Sequence, residues 1–229
     1  MKRNLSIAII VPVFNEATVL PELIGRMQSV DTDTLIVVDG GSRDDSHRLL
    51  ENSGIRWCQS EPGRAAQMNA GAEESTNDIL LFIHADTIIN SSNISAMCEA
   101  MEDGSYAGGR FDLCLSGNAV AFRIIEWLIN VRSRLTGIST GDQCQFVRRS
   151  VFEQMGGFPD QPLMEDVEFS KRLKRHGRVA CLREKVITSS RRWEQLGIVA
   201  TIWLMWKLRF LYWFGVSPEK LAQMYRQTR

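Results

Sequence analysis

No two of the five cysteines stand in C-x-x-C spacing, and their number is odd. Scattered at Cys58, Cys98, Cys114, Cys144 and Cys181, they spell neither a disulfide framework nor a zinc site, and a reducing cytosol suits them best. A G-x-G-x-x-G run is also missing, which weakens a dehydrogenase reading. Low-complexity tracts and internal repeats are absent too. The aromatic stretch towards the C-terminus is uncharged only over residues 195–206 before Lys207 and Arg209 interrupt it, too short to span a bilayer comfortably. At the other end, Met1 to Asn4 is basic and leads into apolar residues, but these are few, include Pro12 and have no small-residue cleavage site after them. Residues 5–13 therefore read as a first core strand rather than a signal peptide.

What is present is ordinary for a chain that buries a core. The 229 residues are 44% hydrophobic and 24% charged, which suits one domain of α/β size, alone or with an appendage. The 27 basic and 27 acidic side chains cancel, but unevenly. Residues 1–110 hold 8 Lys/Arg against 16 Asp/Glu, and residues 111–229 hold 19 against 11. From Lys171 onward the count is 14 against 3. Such an excess fits an anionic ligand, a nucleic acid or an anionic membrane surface, and equally a solvated basic face. No recognised nucleic-acid motif accompanies it, so no nucleic-acid partner is expected.

Strand and helix alternate through the first 103 residues. Residues 5–13 are almost continuously apolar, as a strand buried on both faces should be, with Pro12 at its end where a missing N–H costs least. A helix follows from about 18 to 29. A second strand, 34–38, ends in Asp39-Gly40-Gly41-Ser42, and Ser42 or Asp44 can cap the next helix, 45–52, before Gly54. Residues 55–58 form a short third strand, 65–74 a helix of small residues, 78–83 a fourth strand and 91–103 a fourth helix. Short connections of this kind predict a parallel sheet covered by helices. The fourth strand ends in His84-Ala85-Asp86-Thr87. Ligands bind in the crevice beyond the carboxyl ends of such strands, and a lone carboxylate there suits a divalent cation that also holds substrate phosphates. Taken alone, Asp86 reads sooner as a turn residue or as the cap of the helix starting near Ser91; matching chemistry at three other strand ends favours the ligand.

Further on, 106–115 reads as a strand and 119–135 as an amphipathic helix with Phe122, Ile125, Leu128, Ile129 and Val131 on its apolar face. A polar loop, 136–143, leads to a short strand, 144–147, and Gly156-Gly157-Phe158-Pro159 is a turn. Glu165, Asp166 and Glu168 open a helix that ends at Gly177, and three carboxylates in a first turn favour the helix dipole on their own account. An aromatic-rich helix is expected over about 194–214. With Trp203, Trp206, Tyr212 and Trp213 beside Lys and Arg it suits a membrane surface, burial against the domain or a dimer contact alike. Ser217 caps a last helix that has Pro218 at its first position.

In order, Val11-Pro12-Val13-Phe14-Asn15-Glu16, Val38-Asp39-Gly40-Gly41-Ser42-Arg43-Asp44, Gly63-Arg64-Ala65 through Asn69, His84-Ala85-Asp86, Gly141-Asp142-Gln143 and Glu165-Asp166 resemble glycosyltransferase family 2 over nearly the whole chain. Arg132-Ser133-Arg134, Gly141-Asp142-Gln143, Gly156-Gly157-Phe158-Pro159 and Ser190-Arg191-Arg192-Trp193 together are similar to a bacterial subgroup of short family members associated with arsenosugar biosynthesis. The resemblance implies a GT-A (Rossmann-like) α/β fold with a mostly parallel sheet. It also implies a nucleotide-sugar donor, UDP-linked, with Mn²⁺ or Mg²⁺. The domain would span 1–190, with a nucleotide-binding half over 1–103 and an acceptor half over 104–190, and 191–229 would be a helical appendage.

Carried over by position, Pro12, Phe14 and Glu16 border the nucleoside, Asp39 accepts a hydrogen bond from the base, and Arg64 lies near base or phosphate. Asn69, Asp142 and Gln143 join the same binding set. Asp86 matches the last residue of the family's D-x-D motif, the metal ligand. The first Asp of that motif is His84 here, either a second ligand or merely packed. Glu165-Asp166 match the catalytic pair, with Asp166 as base.

The chemistry asks for these groups. An attacking hydroxyl must lose its proton to a carboxylate, and a departing diphosphate must be neutralised by a cation. One carboxylate for each role suffices for inversion; retention of the hydrolase type needs two flanking one bond. Arg191-Arg192-Trp193 is similar to the end of the Q-x-x-R-W motif of processive members, but position 189 is serine. Arg191 and Arg192 either clamp phosphate or acceptor or serve the structure.

Two other classes remain. A sugar-phosphate nucleotidyltransferase should carry a Gly-rich basic loop after the first strand, where Phe14-Asn15-Glu16 stands. A non-enzymatic membrane-surface module would have no need of Asp86 or Asp166. A cytoplasmic location, with the 194–216 segment touching the inner face of the membrane or a second copy of the chain, completes the expectation.

Overall fold

The computed structural model describes residues 5–28, 30 and 32–227. Its strands are β1 (Ile7–Val13), β2 (Thr34–Asp39), β3 (Trp57–Gln59), β4 (Ile79–Phe82), β5 (Tyr106–Leu115), β6 (Phe146–Arg148) and β7 (Arg178–Thr188). They form one sheet in the order β3-β2-β1-β4-β6-β5-β7. Neighbours run parallel except at β6, which lies antiparallel between β4 and β5. Among the described residues the helices are α1 (Leu20–Met27), α2 (Ser46–Glu51), α3 (Arg64–Glu73), α4 (Ser91–Glu102), α5 (Val120–Thr136), α6 (Arg149–Met155), α7 (Glu165–His176), α8 (Arg191–Leu196), α9 (Ile198–Trp213) and α10 (Pro218–Arg226). The chain starts in the middle of the sheet, winds outward to β3, then returns to β4 on the other side of β1. That reversal makes a crevice at the carboxyl ends of β1 and β4.

β1 is buried along its whole length because its alternate residues serve two cores. Ile7, Ile9, Val11 and Val13 meet Leu20, Leu23 and Met27 of α1 and Met97 and Met101 of α4. Ala8 and Ile10 meet Ala65, Met68 and Ala72 of α3, with Phe169 and Leu173 of α7 in the same layer. The small residues of α3 let it lie directly on the sheet: a Cβ on Gly71 would stand 2.5 Å from Ile10 Cγ2. This close approach brings the start of α3 over the strand ends.

β6 pairs with β5 only at Gly108 and Gly109, so β5 has an open edge beyond them. α5 closes that edge with side chains. Asn130 accepts from Leu113 N–H (2.8 Å) and donates back to Leu113 O (3.0 Å), while Glu126 accepts from Leu115 N–H (2.7 Å). The inner face of α5 is therefore partly polar, and the expected apolar face is divided. Phe122 and Ile125 are buried, but Leu128 is exposed.

Gly108 is needed for the same junction, since a Cβ there would lie 2.3 Å from the Phe146 carbonyl oxygen and 2.9 Å from Val147 Cα. Backbone cannot yield as a flexible side chain does. Gly108→Ala is expected to cost about 1–3 kcal/mol and lower the thermal midpoint by several degrees. An unchanged midpoint in a melting curve would contradict the packing.

The structure corrects several sequence expectations. β7 was not anticipated over 178–185, because its exposed positions carry charges and its partner β5 is distant in sequence. The expected 194–214 helix is two helices, broken at Gly197, whose φ is +81°. Asp45 holds the N-cap position of α2 without a side-chain cap bond, but Asp44, one of the two expected residues, serves the helix start, its Oδ1 accepting from Ser46 N–H (3.0 Å). Ser42 Oγ accepts from Asn15 N–H (2.9 Å), and Asp44 Oδ2 accepts from Ala17 N–H (3.1 Å), so both also tie β1's loop to β2's. Ser217 precedes α10 without a side-chain cap bond, though Pro218 holds the expected first position. The first helix starts at Leu20, and Ser29, its expected end, lies outside the described residues. Asp86 does not cap α4; Asn90 does, in a reciprocal capping box with Asn93. α9 and α10 pack on the start of α7 through Leu208 and Leu221 against Met164 and Val167. No described helix is long and apolar enough to cross a membrane.

Candidate active site

The carboxyl ends of β1 and β2 are stitched into one rim. Arg43 N–H donates to Asn15 Oδ1 (2.8 Å) and Glu16 N–H to Ser46 Oγ (2.9 Å). Beneath them Gln67, buried on α3, donates through Nε2 to Val13 O (2.7 Å) and Val38 O (2.9 Å). Gly40 passes over that amide so closely that a Cβ would lie 2.9 Å from it. On this rim Pro12 is buried, Phe14 is exposed and Glu16 is half-buried. Asp39, paired in register with Val13, is fully buried. Its Oδ1 accepts from Ser42 N–H (2.9 Å), whereas Oδ2 has no hydrogen-bond partner among the described residues and stands 3.5 Å from His47 Nδ1. A buried oxygen left in that state costs about 1–3 kcal/mol, so it is ready for a donor from outside.

Across the crevice, Thr87 N–H closes a turn on His84 O (3.0 Å), which leaves Asp86 at the turn's tip. The Asp86 carboxylate makes no hydrogen bond or ion pair among the described residues. His84 is held neutral: burial, then the charge of Arg64, pushes its imidazole down to about 3. The ring faces the Gly141–Gln143 turn, where a Cβ on Gly141 would lie 2.5 Å from Nε2.

His84 and Gly141 also line a small cavity of about 10 Å³ with Gln145, Glu165 and Asp166. That is room for about one water. Asp166 Oδ2 accepts from Gly141 N–H (2.8 Å) and Oδ1 from Val167 N–H (2.7 Å). Those bonds favour the carboxylate, but burial and the charge of Glu165 outweigh them and raise Asp166 to about 7. Gln145 fixes the same turn of α7 by donating to Asp166 O (3.0 Å) and Ser170 Oγ (2.9 Å).

Beside this cavity lies Asp142, which burial raises against the pull of Thr140 and Arg132. Asp142 Oδ1 and Arg132 Nε and Nη2 are buried with no hydrogen-bond partner among the described residues, although each side chain feels the other's charge. Arg64 starts α3 with its side chain exposed, near enough to act on both His84 and Asp142. Thus Pro12, Phe14, Glu16 and Asp39 share one rim, and His84, Arg64, Asp142, Glu165 and Asp166 converge across from it, with Asp86 at the end of the strand between.

The structure ties three of the expected ligand residues to the protein itself. Gln143 is fully buried and donates to Ser133 Oγ (3.0 Å), tying the turn to α5. Asn69 spends its whole amide on Phe158, donating to its carbonyl (3.0 Å) and accepting from its N–H (2.8 Å). A side-chain amide matches a peptide group, so Asn69 holds the Phe158 loop in place of a ligand, whereas Gln143 Oε1 is buried with no hydrogen-bond partner among the described residues. Arg192 stacks 4.3 Å over the Tyr225 ring and hydrogen-bonds its hydroxyl, joining α8 to α10. Arg191 is exposed on α8. Sequence reasoning missed Gln67, Gln145 and, as part of the site, Arg132; a polar residue among small or apolar neighbours was the available signal for the first two.

No group of three His, Cys, Asp or Glu side chains able to hold a metal gathers among the described residues. A single unbonded carboxylate still fits a cation of the Mg²⁺ type, which keeps most of its shell for water and substrate phosphates. Asp86 supplies that carboxylate. His84, turned to Gly141, serves the cavity wall.

Residues 8–156 match the family described as Glycosyl transferase family 2. The chain belongs to that family. It is 24% identical to Probable glycosyltransferase YdaM of Bacillus subtilis (strain 168), over all of this chain and 60% of that protein. The chain thus spans less than two thirds of that relative's length. S. aureus TarS 1–349 in complex with UDP-GlcNAc superposes with a TM-score of 0.61 at 19% identity, over 80% of this chain and 58% of that one. The mannosyltransferase PcManGT from Pyrobaculum calidifontis, in complex with GDP-Man and Mn²⁺, gives 0.60 at 19%, over 80% and 56%. These likenesses establish the fold, the GT-A arrangement of a mostly parallel sheet covered by helices.

Proposed function

We propose that this family 2 chain is a metal-dependent inverting glycosyltransferase that moves a sugar from a UDP-linked donor to a hydroxyl acceptor. The observation that carries the reading is the pairing of an unbonded carboxylate, Asp86, with a carboxyl raised to about 7, Asp166, across one crevice. Asp86 would hold Mn²⁺ or Mg²⁺, whose charge would offset the negative charge on the departing diphosphate. Asp166 takes the proton of the attacking hydroxyl, and Glu165 keeps its affinity for that proton high. Asp39 Oδ2 accepts from the base edge, Phe14 and Pro12 flank the nucleoside, and Arg64 meets phosphate. Arg132 and Asp142 hold the acceptor in the cavity mouth. The motifs around Arg132 and Arg191 support an acceptor of the arsenosugar type or another small glycoconjugate. The domain boundary near 190 and a cytoplasmic setting, with the 194–216 segment at the inner membrane face or against a second copy, belong to the same proposal.

The donor is tested by thermal-shift titration with UDP, GDP and CDP, each with Mn²⁺ and with EDTA. A ligand at about a hundred times its dissociation constant stabilises by about 2.7 kcal/mol. The expected result is a Mn²⁺-dependent rise with UDP that Asp39→Ala weakens by about 1.5–3 kcal/mol. A response to GDP alone would change the donor, and no response from folded protein would overturn the enzyme reading.

A further inference from the structure

α5 and α9 each expose an apolar stripe that the fold does not cover. On α5 it comprises Val120, Ile124, Trp127, Leu128 and Leu135, spaced as one face of a helix, with Trp127 62% exposed. This face is opposite the one that closes the β5 edge. On α9, Trp203, Trp206, Phe210 and Trp213 repeat the pattern, and the three tryptophans are 68%, 73% and 76% exposed. Ile129 of α5 packs with Ile198 and Ile202 of α9 over one cluster, so the stripes stand on neighbouring helices. Exposed apolar surface of this extent marks an interaction site rather than scattered residues.

From this geometry we infer that the outer faces of α5 and α9 together seat the protein on an anionic lipid surface, α9 lying flat. Trp and Phe beside Lys and Arg are the chemistry of the headgroup boundary. α9 carries Lys207 and Arg209 and no carboxylate, with Lys207 5.7 Å over the Trp203 ring. The one carboxylate of α5, Glu126, is buried and bound to Leu115 N–H and Arg123. Arg123 is paired with Glu126 and Arg134 with Asp112, so the cations left beside the patch are Lys207 and Arg209 of α9, the charge that anionic headgroups attract. A second copy related by a two-fold axis would set these cations against their own equivalents, with no exposed carboxylate of α5 or α9 to balance them. α5 also carries Arg132, which faces Asp142, so the lipid-facing helix adjoins the acceptor side. The inference is independent of the donor nucleotide.

The test is co-sedimentation of the whole chain with vesicles of phosphatidylcholine alone and of phosphatidylcholine mixed with phosphatidylglycerol, at low and high salt. Binding is expected to the mixed vesicles and to weaken with salt. Trp127→Ser on α5 and Trp206→Ser on α9 should each weaken partitioning about tenfold. Both should leave the thermal midpoint and the UDP response measured without lipid unchanged, and Ile124→Ser provides a second variant of α5. Absence of binding to either vesicle overturns the inference. Unchanged binding of both α5 variants removes α5 from the surface and overturns the two-helix form. A lipid-free dimer that Trp127→Ser and Trp206→Ser dissolve reassigns the patch to a second copy.

Discussion

Asp166→Asn is expected to reduce transfer by about 10²- to 10⁴-fold, the range a general base contributes, while UDP still stabilises the protein. Asparagine keeps an acceptor for one of the N–H groups of Gly141 and Val167, so the start of α7 should hold. Only the proton acceptor is lost. The wild-type rate should rise with pH through about 7 and then level, because the base works as the carboxylate and burial beside Glu165 holds it protonated until then. Stability should move oppositely. Asp166 in the folded chain keeps a proton that the unfolded chain, at the ordinary value of 3.8, has already released. Its contribution is thus fully present below about 4 and is lost as pH rises towards 7. Asp166→Asn removes that loss, and its midpoint should decline less across this window. A variant that turns over normally, or a wild-type rate flat from pH 5 to 9, would sink the assignment of Asp166 as base.

The sheet was readable wherever burial on both faces made a strand continuously apolar, as in Ile7–Val13, Thr34–Asp39 and Ile79–Phe82. It was hidden where pairing depends on residues far away. β7 carries Arg183, Glu184 and Lys185 in a row, and only its register with β5, more than 70 residues earlier, shows it to be a strand. α5 misled for a related reason. Its inward positions include Glu126 and Asn130, because the unpaired edge of β5 needs hydrogen-bonding groups more than apolar ones, and Ser133, which accepts from Gln143. A period of 3.6 reports which face is apolar, and here that face is split between the core, at Phe122 and Ile125, and solvent, at Leu128.

The site was legible as a set of strand ends, and less so as a set of contacts. Asp39, His84 and Asp86 stand together because parallel strands deliver their carboxyl ends to one side, and Asp166 joins them from the start of α7, held by Gly141 N–H. What motif order could not tell was which polar residues the protein consumes itself. Asn69 and Gln143 stand in the motifs, yet each is tied to a loop or helix, while Arg132, outside the binding set, has buried donors without partners. The orientation of a side chain depends on its neighbours in space, and spacing along the chain is silent on it.

Asp86→Ala should abolish the effect of metal. Mn²⁺ would no longer add to the stabilisation by UDP, and transfer would fall by at least about 10²-fold, since a cation on the departing diphosphate supplies several kcal/mol and each 1.36 kcal/mol is a factor of ten. The expectation rests on position and on solitude: the carboxylate stands at the tip of the turn after β4, and no described side chain takes up its charge. His84→Asn separates the two residues of the motif. With its ring turned to Gly141, His84 is expected to leave the metal response intact and to change the pH dependence of stability instead. Its imidazole, about 3 in the fold against the ordinary 6.5, resists protonation, so its contribution is present above about 6.5 and is lost as pH falls towards 3. His84→Asn should therefore flatten the acid limb of the melting profile. Were His84→Asn to remove the Mn²⁺ response as completely as Asp86→Ala, the imidazole would be a ligand and the ring would have to turn from Gly141 when the metal binds.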